Sequence, residues 1–299
     1  MAVLESGVRT YPYAAELRRE LSYRSRQYAQ HHQLRFQESY GLSPVVRFLP
    51  SEDGIYHGNF LRESYRAIQQ NAAWRQRLEK IHAQSNNSFP REERRWRELD
   101  SSNSSDALLM NIFCFPGTLR SRGIAQMLGL DHPQKPDFGV RARVPLRGEK
   151  VDRTEIDMRL GDLLVEAKLT EADFQRCGWE ALETYRDLHE VFEVRELPRD
   201  GDTCLSYQLV RNVLAAYATG LSFSVMADAR RPDLKEAWYA VMSSVRTSEL
   251  RVRCKMITWQ ELSEELPRKL RIFLAEKYGI ASGDVQAPNL TELMEAGLL

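Results

Sequence analysis

The sequence predicts an α/β protein, a mixed central sheet flanked by helices with an added helical region at the N-terminus. Three observations carry this. From Ser105 onward the hydrophobic patterning runs helix, strand, strand, strand, helix, strand, helix, strand, so hairpin connections precede crossover ones. Val151–Thr170, VDRTEIDMRLGDLLVEAKLT, alternates apolar and polar residues on both sides of Gly161-Asp162. Leu221–Ala227, LSFSVMA, is an uninterrupted apolar run of the kind found inside a sheet.

The first hundred residues read as a helical lobe. The pattern is helical from Ala14 to about Tyr40, breaks over Gly41–Gly54 with Pro44 and Pro50, and resumes from about Asn59 to Ala83. A loop from Ser85 leads into a short charged helix through Trp96. The serine-rich run after Asp100 supplies N-caps for a helix Asp106–Phe113, stopped by Pro116-Gly117. Ser121–Leu128 suggests another short helix, and Asp137–Val144 a strand.

After the hairpin, Thr170-Glu-Ala-Asp173 resembles a capping box, so a helix is expected soon after Lys168. Trp179–Val194 reads as helical, and Thr203–Thr219 as a strong helix ending at Gly220. Pro232 opens a helix to about Val245, Leu250–Ile257 is a strand, and Thr258-Trp-Gln-Glu261 caps a further helix. The remainder reads as helical with a break near Ser282.

Composition narrows the class. With 42% hydrophobic and 28% charged residues, the chain has the make-up of a soluble globular protein with ample core. No apolar run approaches the ~18–20 residues of a membrane span, and the N-terminus lacks a signal-peptide segment. Cys114, Cys177, Cys204 and Cys254 form no CxxC pair, which fits reduced thiols in a cytoplasm. The 42 basic and 42 acidic residues cancel, which argues against DNA binding through bulk charge but not against a local basic groove. The six histidines show no zinc-ligand spacing, and no GxSxG, Walker A or GxGxxG run is present.

The hairpin is the stretch with chemistry in it. A Gly-Asp loop of two residues suits a type II′ turn and fixes the register, so that Asp157 faces Glu166 and Glu155 faces Lys168. One face then carries Ile156, Met158, Leu160, Leu163, Val165, Ala167 and Leu169, and the other Glu155, Asp157, Arg159, Glu166 and Lys168. Like charges directly opposed destabilise a sheet. Opposed Cβ atoms stand ~4.5–5.5 Å apart, a span that one divalent cation with oxygens at ~2.0–2.1 Å bridges.

Asp157, eight intervening residues, then Glu166-Ala167-Lys168 resembles the D…(D/E)-x-K signature of the PD-(D/E)XK superfamily, the restriction endonuclease-like nucleases. The element order is similar to that superfamily's αβββαβ core over roughly residues 100–260, leaving residues 1–100 as an N-terminal lobe and 261–299 as a C-terminal helical extension. The resemblance implies a nuclease acting on DNA, with a possible homodimer and no membrane partner. Asp157, Glu166 and the Ala167 carbonyl would hold Mg²⁺ or Mn²⁺, and Lys168 would orient or deprotonate the attacking water. Asp106 is the candidate for an added acid from the first core helix, with Glu98 as fallback. Gln208 is the candidate polar residue on the following helix, where Gln208, Arg211 and Asn212 share a face. Asp137, after Pro136, is an alternative to Asp157.

Plainer readings stay open at this point. Glu155 and Lys168 could form a cross-strand ion pair, Asp157 and Glu166 could splay into solvent, and Asp106 could be a helix first-turn acid. Gln208 and Arg211 could lie on a solvated helix face. The chain could also be a nuclease fold that binds nucleic acid or a protein without cutting, or an unrelated α/β protein.

Overall fold

The computed structural model of the protein describes residues 13–39, 44–81, 96–132 and 134–287. At its centre is a five-stranded mixed sheet, in the order 254–258, 222–227, 163–167, 155–160, 137–141. The first two strands run parallel to each other and to 163–167, while the hairpin and the edge strand are antiparallel. This is the mixed sheet expected, and its parallel strands are the apolar ones because both of their faces are covered.

Two apolar layers sandwich the sheet. Leu160, Leu163, Val165, Ala167, Met226 and Ile257 face a layer that includes Leu108, Leu109 and Ile112 of the helix Ser105–Phe113. Leu164, Phe223, Val225 and Ala227 face the opposite layer, against Leu209, Val213 and Leu214 of the helix Tyr207–Thr219. Alternation thus holds along both central strands. It is interrupted at the start of the hairpin, where Ile156 joins Leu164 and not Met158. The interruption lies opposite Gly139, whose φ of +68° is left-handed.

The N-terminal region is fastened to this core. Leu17, Leu21 and Tyr28 of the helix Tyr13–His31 share the first apolar layer with Phe273, Leu274 and Tyr278 of the helix Arg268–Tyr278. Lys277, fully buried, donates to the Asn59 carbonyl at 2.8 Å and sits 4.6 Å from the Phe48 ring centre. The helical reading of residues 14–40 stops at His31. A short antiparallel ribbon, Phe36–Glu38 with Val46–Phe48, follows. The stretch from Asn59 becomes two helices, Arg62–Gln70 and Ala72–Arg77, because Asn71 caps the second through the amides of Ala73 and Trp74. The charged helix expected before Trp96 and the chain beyond residue 287 lie outside the described residues.

Most predicted caps hold. The Ser104 hydroxyl accepts from the Ala107 amide, Ser121 caps Arg122–Leu128, and Thr258 with Glu261 forms the reciprocal box. Thr170 does not cap a helix. Glu171 accepts from the Leu169 amide and the Ser105 hydroxyl, so the carboxylate nearest to Thr170 serves tertiary contacts. Residues 168–176 are irregular. Trp179–Val194 contains only two single turns, Trp179–Leu182 and Leu188–Val191. Thr203–Cys204 pairs in a small ribbon before the helix starts at Tyr207. Leu250 lies in a short helix, Ser248–Arg253, that precedes the strand Cys254–Thr258. Among the described residues, no helix is long and apolar enough to cross a membrane.

Candidate active site at the open end of the hairpin

Gly161 takes φ +59°, the turn has two residues, and the pairs Leu160–Leu163, Arg159–Leu164 and Met158–Val165 form in the register that the loop length dictates. The ladder ends there. One step further, Asp157 does not complete a backbone pair with Glu166, and its carboxylate accepts from the Ala167 amide at 2.8 Å. The two strands therefore part at the residues that carry the charges. The other edge of the second strand continues, with the Lys168 amide on the Met226 carbonyl.

Glu166 and Lys168 are not on a wet face. They are 1% and 4% exposed, because the helix Tyr207–Thr219 lies over them. Burial of a carboxylate requires partners, and three are present. Gln208 Nε2 stands 2.5 Å from Glu166 Oε1, Asn212 Nδ2 2.9 Å from Oε2, and Lys168 Nζ 3.1 Å from Oε1. Gln208 and Asn212 are four apart, so both amides reach one carboxylate from a single helix face. That face is buried, which removes the solvated-helix reading. Arg211 fixes the second amide by donating to Asn212 Oδ1 at 3.0 Å. Asn212 was not singled out in the sequence, although its spacing from Gln208 was the signal for it.

Asp157 has one backbone partner and like-charged neighbours. Burial, then Glu166 and Asp106, push its carboxyl well above the usual range, against the pull of Lys168 and the Ala167 amide. Burial alone would lower the Lys168 ammonium, but Glu166, Glu171 and Asp157 together hold it above its ordinary value. Lys168 also lies 5.7 Å from the Phe174 ring centre. The expected pairing of Lys168 with Glu155 is absent.

Glu155 belongs to a second network. Arg77 Nη2 reaches Asp106 at 2.8 Å and Glu155 at 2.7 Å, while Lys80 Nζ reaches Asp106 at 3.0 Å, Glu98 at 3.0 Å and Glu155 at 3.2 Å. Asp106 is thus brought beside Asp157 but already carries two cations. Burial, then Asp106, raise the Glu98 carboxyl despite Lys80. Asp106, Asp157 and Glu166 do not converge as a trio within 4.8 Å. Asp137 is exposed, opposite Arg159 at the sheet edge.

The donor set suits a hard divalent ion. All of its anionic atoms are carboxylate oxygens, which Mg²⁺ and Mn²⁺ prefer. Gln208 Oε1 is buried with no hydrogen-bond partner, an acceptor left over at the edge of the set. The raised Asp157 carboxyl marks a place where positive charge would relieve repulsion.

A model of the family described as Restriction Endonuclease associating with ARP matches residues 24–279. No curated protein and no solved structure matches the chain. The matched segment runs from the N-terminal helix to the end of the helix Arg268–Tyr278 and contains every residue of the two networks above. The fold and this match agree, and the chain belongs to the restriction endonuclease family so described.

Proposed function

We propose that the protein is a metal-dependent nuclease that hydrolyses phosphodiester bonds in DNA. The observation that carries this is the buried Glu166, held by Gln208, Asn212 and Lys168, beside an Asp157 whose carboxyl is pushed up by its neighbours. A purely structural acid would not be placed where Glu166 raises the cost of ionising it, as it does for Asp157. Asp157, Glu166 and the Ala167 carbonyl would hold Mg²⁺ or Mn²⁺, with Asp106 as the further acid. Such an ion would supply a Lewis acid for the charge that develops on the phosphate oxygens.

The protein's own groups have separable tasks. Lys168, kept as an ammonium by three carboxylates, orients the water and stabilises negative charge on the phosphate, and does not serve as the base while that charge balance persists. Gln208 and Asn212 lock the rotamer of Glu166. Under this reading residues 101–260 are the nuclease core, flanked by residues 1–100 and 261–299. A homodimer, and the association with ARP that the family's description names, would use surfaces away from this cluster.

Arg77 and Lys80 on Asp106 and Glu155 favour a second reading, a nuclease fold that binds without cutting. One assay separates the two. Supercoiled and linear DNA are incubated with Mg²⁺ or Mn²⁺ and wild type, Asp157→Ala or Lys168→Ala. Cleavage by wild type alone is expected. Equal cleavage by all three proteins sinks the assignment, and metal binding by wild type without cleavage supports the second reading.

A further inference from the structure

At the far end of the N-terminal helix, His31 and His32 meet Glu276, and the three donor atoms lie within 4.8 Å of one another. Consecutive residues in mid-helix point about 100° apart and cannot share a ligand. Here the helix is ending. The His32 amide still bonds to the Tyr28 carbonyl, Gln33 turns left-handed at φ +52°, and the Leu34 amide returns to the Ala29 carbonyl. Both imidazoles consequently converge on one oxygen, with His31 Nδ1 at 3.1 Å and His32 Nε2 at 2.7 Å from Glu276 Oε1.

The donors are also held in place. The His32 ring packs against Tyr28 at 4.4 Å between centroids and against His31 at 4.7 Å. Tyr28 meets Phe273 edge-on at 5.8 Å, three residues before Glu276 on the helix Arg268–Tyr278. The helices that carry His31 and Glu276 therefore share one apolar layer, and His32 sits in the turn that ends the first of them.

We propose that His31, His32 and Glu276 form a zinc site that ties the N-terminal helix to the C-terminal one. Two imidazoles and a carboxylate are a common zinc donor set, with Zn–N at ~2.0–2.1 Å and Zn–O at ~2.0–2.2 Å. Tetrahedral bonds of that length put neighbouring donors about 3.3 Å apart. The observed 3.1 and 2.7 Å need to open by about 0.2 and 0.6 Å. The fourth position is open to solvent on the side of His31, which is 76% exposed. The end of a helix favours positive charge, since its last carbonyls are unpaired. Imidazole donors distinguish this site from the all-carboxylate cluster at the hairpin, which suits Mg²⁺ and Mn²⁺. The proposal does not rest on the nuclease reading.

The test uses the full, untagged chain in excess Mg²⁺, so that the carboxylate cluster is occupied. Zn²⁺ is titrated calorimetrically at neutral pH, and Co²⁺ absorption reports coordination geometry. Wild type is expected to bind one equivalent, to show a tetrahedral Co²⁺ spectrum, and to melt at a higher temperature with Zn²⁺. His31→Ala removes an exposed ring, leaves the metal-free melting temperature unchanged, and weakens Zn²⁺ binding at least tenfold. Glu276→Gln weakens it likewise. Failure of wild type to bind one equivalent overturns the site, and so does equal affinity in wild type, His31→Ala and Glu276→Gln.

Discussion

Replacing Asp157 with Asn is expected to make the metal-free protein more stable while abolishing its response to Mg²⁺. The amide keeps the shape and keeps an oxygen for the Ala167 N–H, which Asp157 accepts at 2.8 Å. What disappears is a charge that Glu166 and Asp106 oppose and Lys168 favours. Two unit charges ~5 Å apart at an effective dielectric of about 20 interact by roughly 3 kcal/mol. Two repulsions against one attraction leave a net repulsion of about one such pair. Arg77, which Asp157 also helps to hold protonated, reduces it. A gain of about 1–3 kcal/mol is the expected size.

The sign with pH follows from linkage. A carboxyl raised on folding contributes stability that is fully present below its unfolded pKa of about 3.9 and is lost as pH rises through the folded value. Wild type should therefore fall behind Asp157→Asn as pH rises above about 4 and through the raised folded value, and should draw level at the acid end. Urea unfolding in EDTA at several pH values measures the gap, and the same curves in Mg²⁺ should stabilise wild type alone. A variant less stable than wild type at neutral pH, or a gap that does not change with pH, would refute the picture of a repelled, metal-seeking carboxylate.

Two further substitutions probe how the site is held. Asn212→Ala removes a hydrogen bond to the buried Glu166 and leaves Arg211 with the Glu155 carbonyl, at 3.3 Å, as acceptor. It should cost about 3–5 kcal/mol in urea unfolding and reduce cleavage; an unchanged midpoint would mean that Gln208 and Lys168 suffice for Glu166. At Gly139 an added Cβ would stand 2.3 Å from Arg77 Nη1, on a residue whose φ is left-handed. Gly139→Ala should cost about 2–4 kcal/mol through backbone strain and displacement of Arg77 from Asp106; a neutral effect would show that Arg77 reaches Asp106 by another path.

The parts of this site that were legible in the sequence are the local ones. A two-residue turn has one compatible register, so the pairs from Leu160–Leu163 to Met158–Val165 followed from Gly161-Asp162, while the expected facing of Asp157 and Glu166 lies one step past the end of that ladder. The spacing of Gln208 and Asn212 likewise put two amides on one face, although only Gln208 was nominated. The Thr170 capping box failed even so. Its acid, Asp173, accepts from the Gln175 amide at 2.8 Å in a turn of its own, and the neighbouring Glu171 is engaged by Ser105, 66 residues away in the chain. Arg77 and Lys80 were not legible at all, since nothing local relates them to Asp106 or Glu155. A signal did exist in Gly139, because a lone glycine inside a strand marks a bulge or a close approach by another group. Arg77 is that group.

Those two cations set the condition under which Asp106 takes part in chemistry. A carboxylate that bonds Arg77 and Lys80 through one oxygen, Oδ2, still has Oδ1 and its remaining lone pairs. An ion held by Asp157 and Glu166 can therefore be approached by Asp106 without breaking either ion pair, provided that the helix Ser105–Phe113 keeps its first turn where Ser104 caps it. Under the proposed function, the Arg77–Lys80 pair would neutralise acids that would otherwise repel a phosphate from the open end of the hairpin. On the same proposal, Asp157 and Glu166 are left as the carboxylates whose mutual repulsion a metal would relieve. Lys168 alone does not suffice, because it is one cation among Glu166, Glu171 and Asp157. On the proposed function, the same residues that would keep substrate repulsion low would also leave the place for a divalent ion at the hairpin.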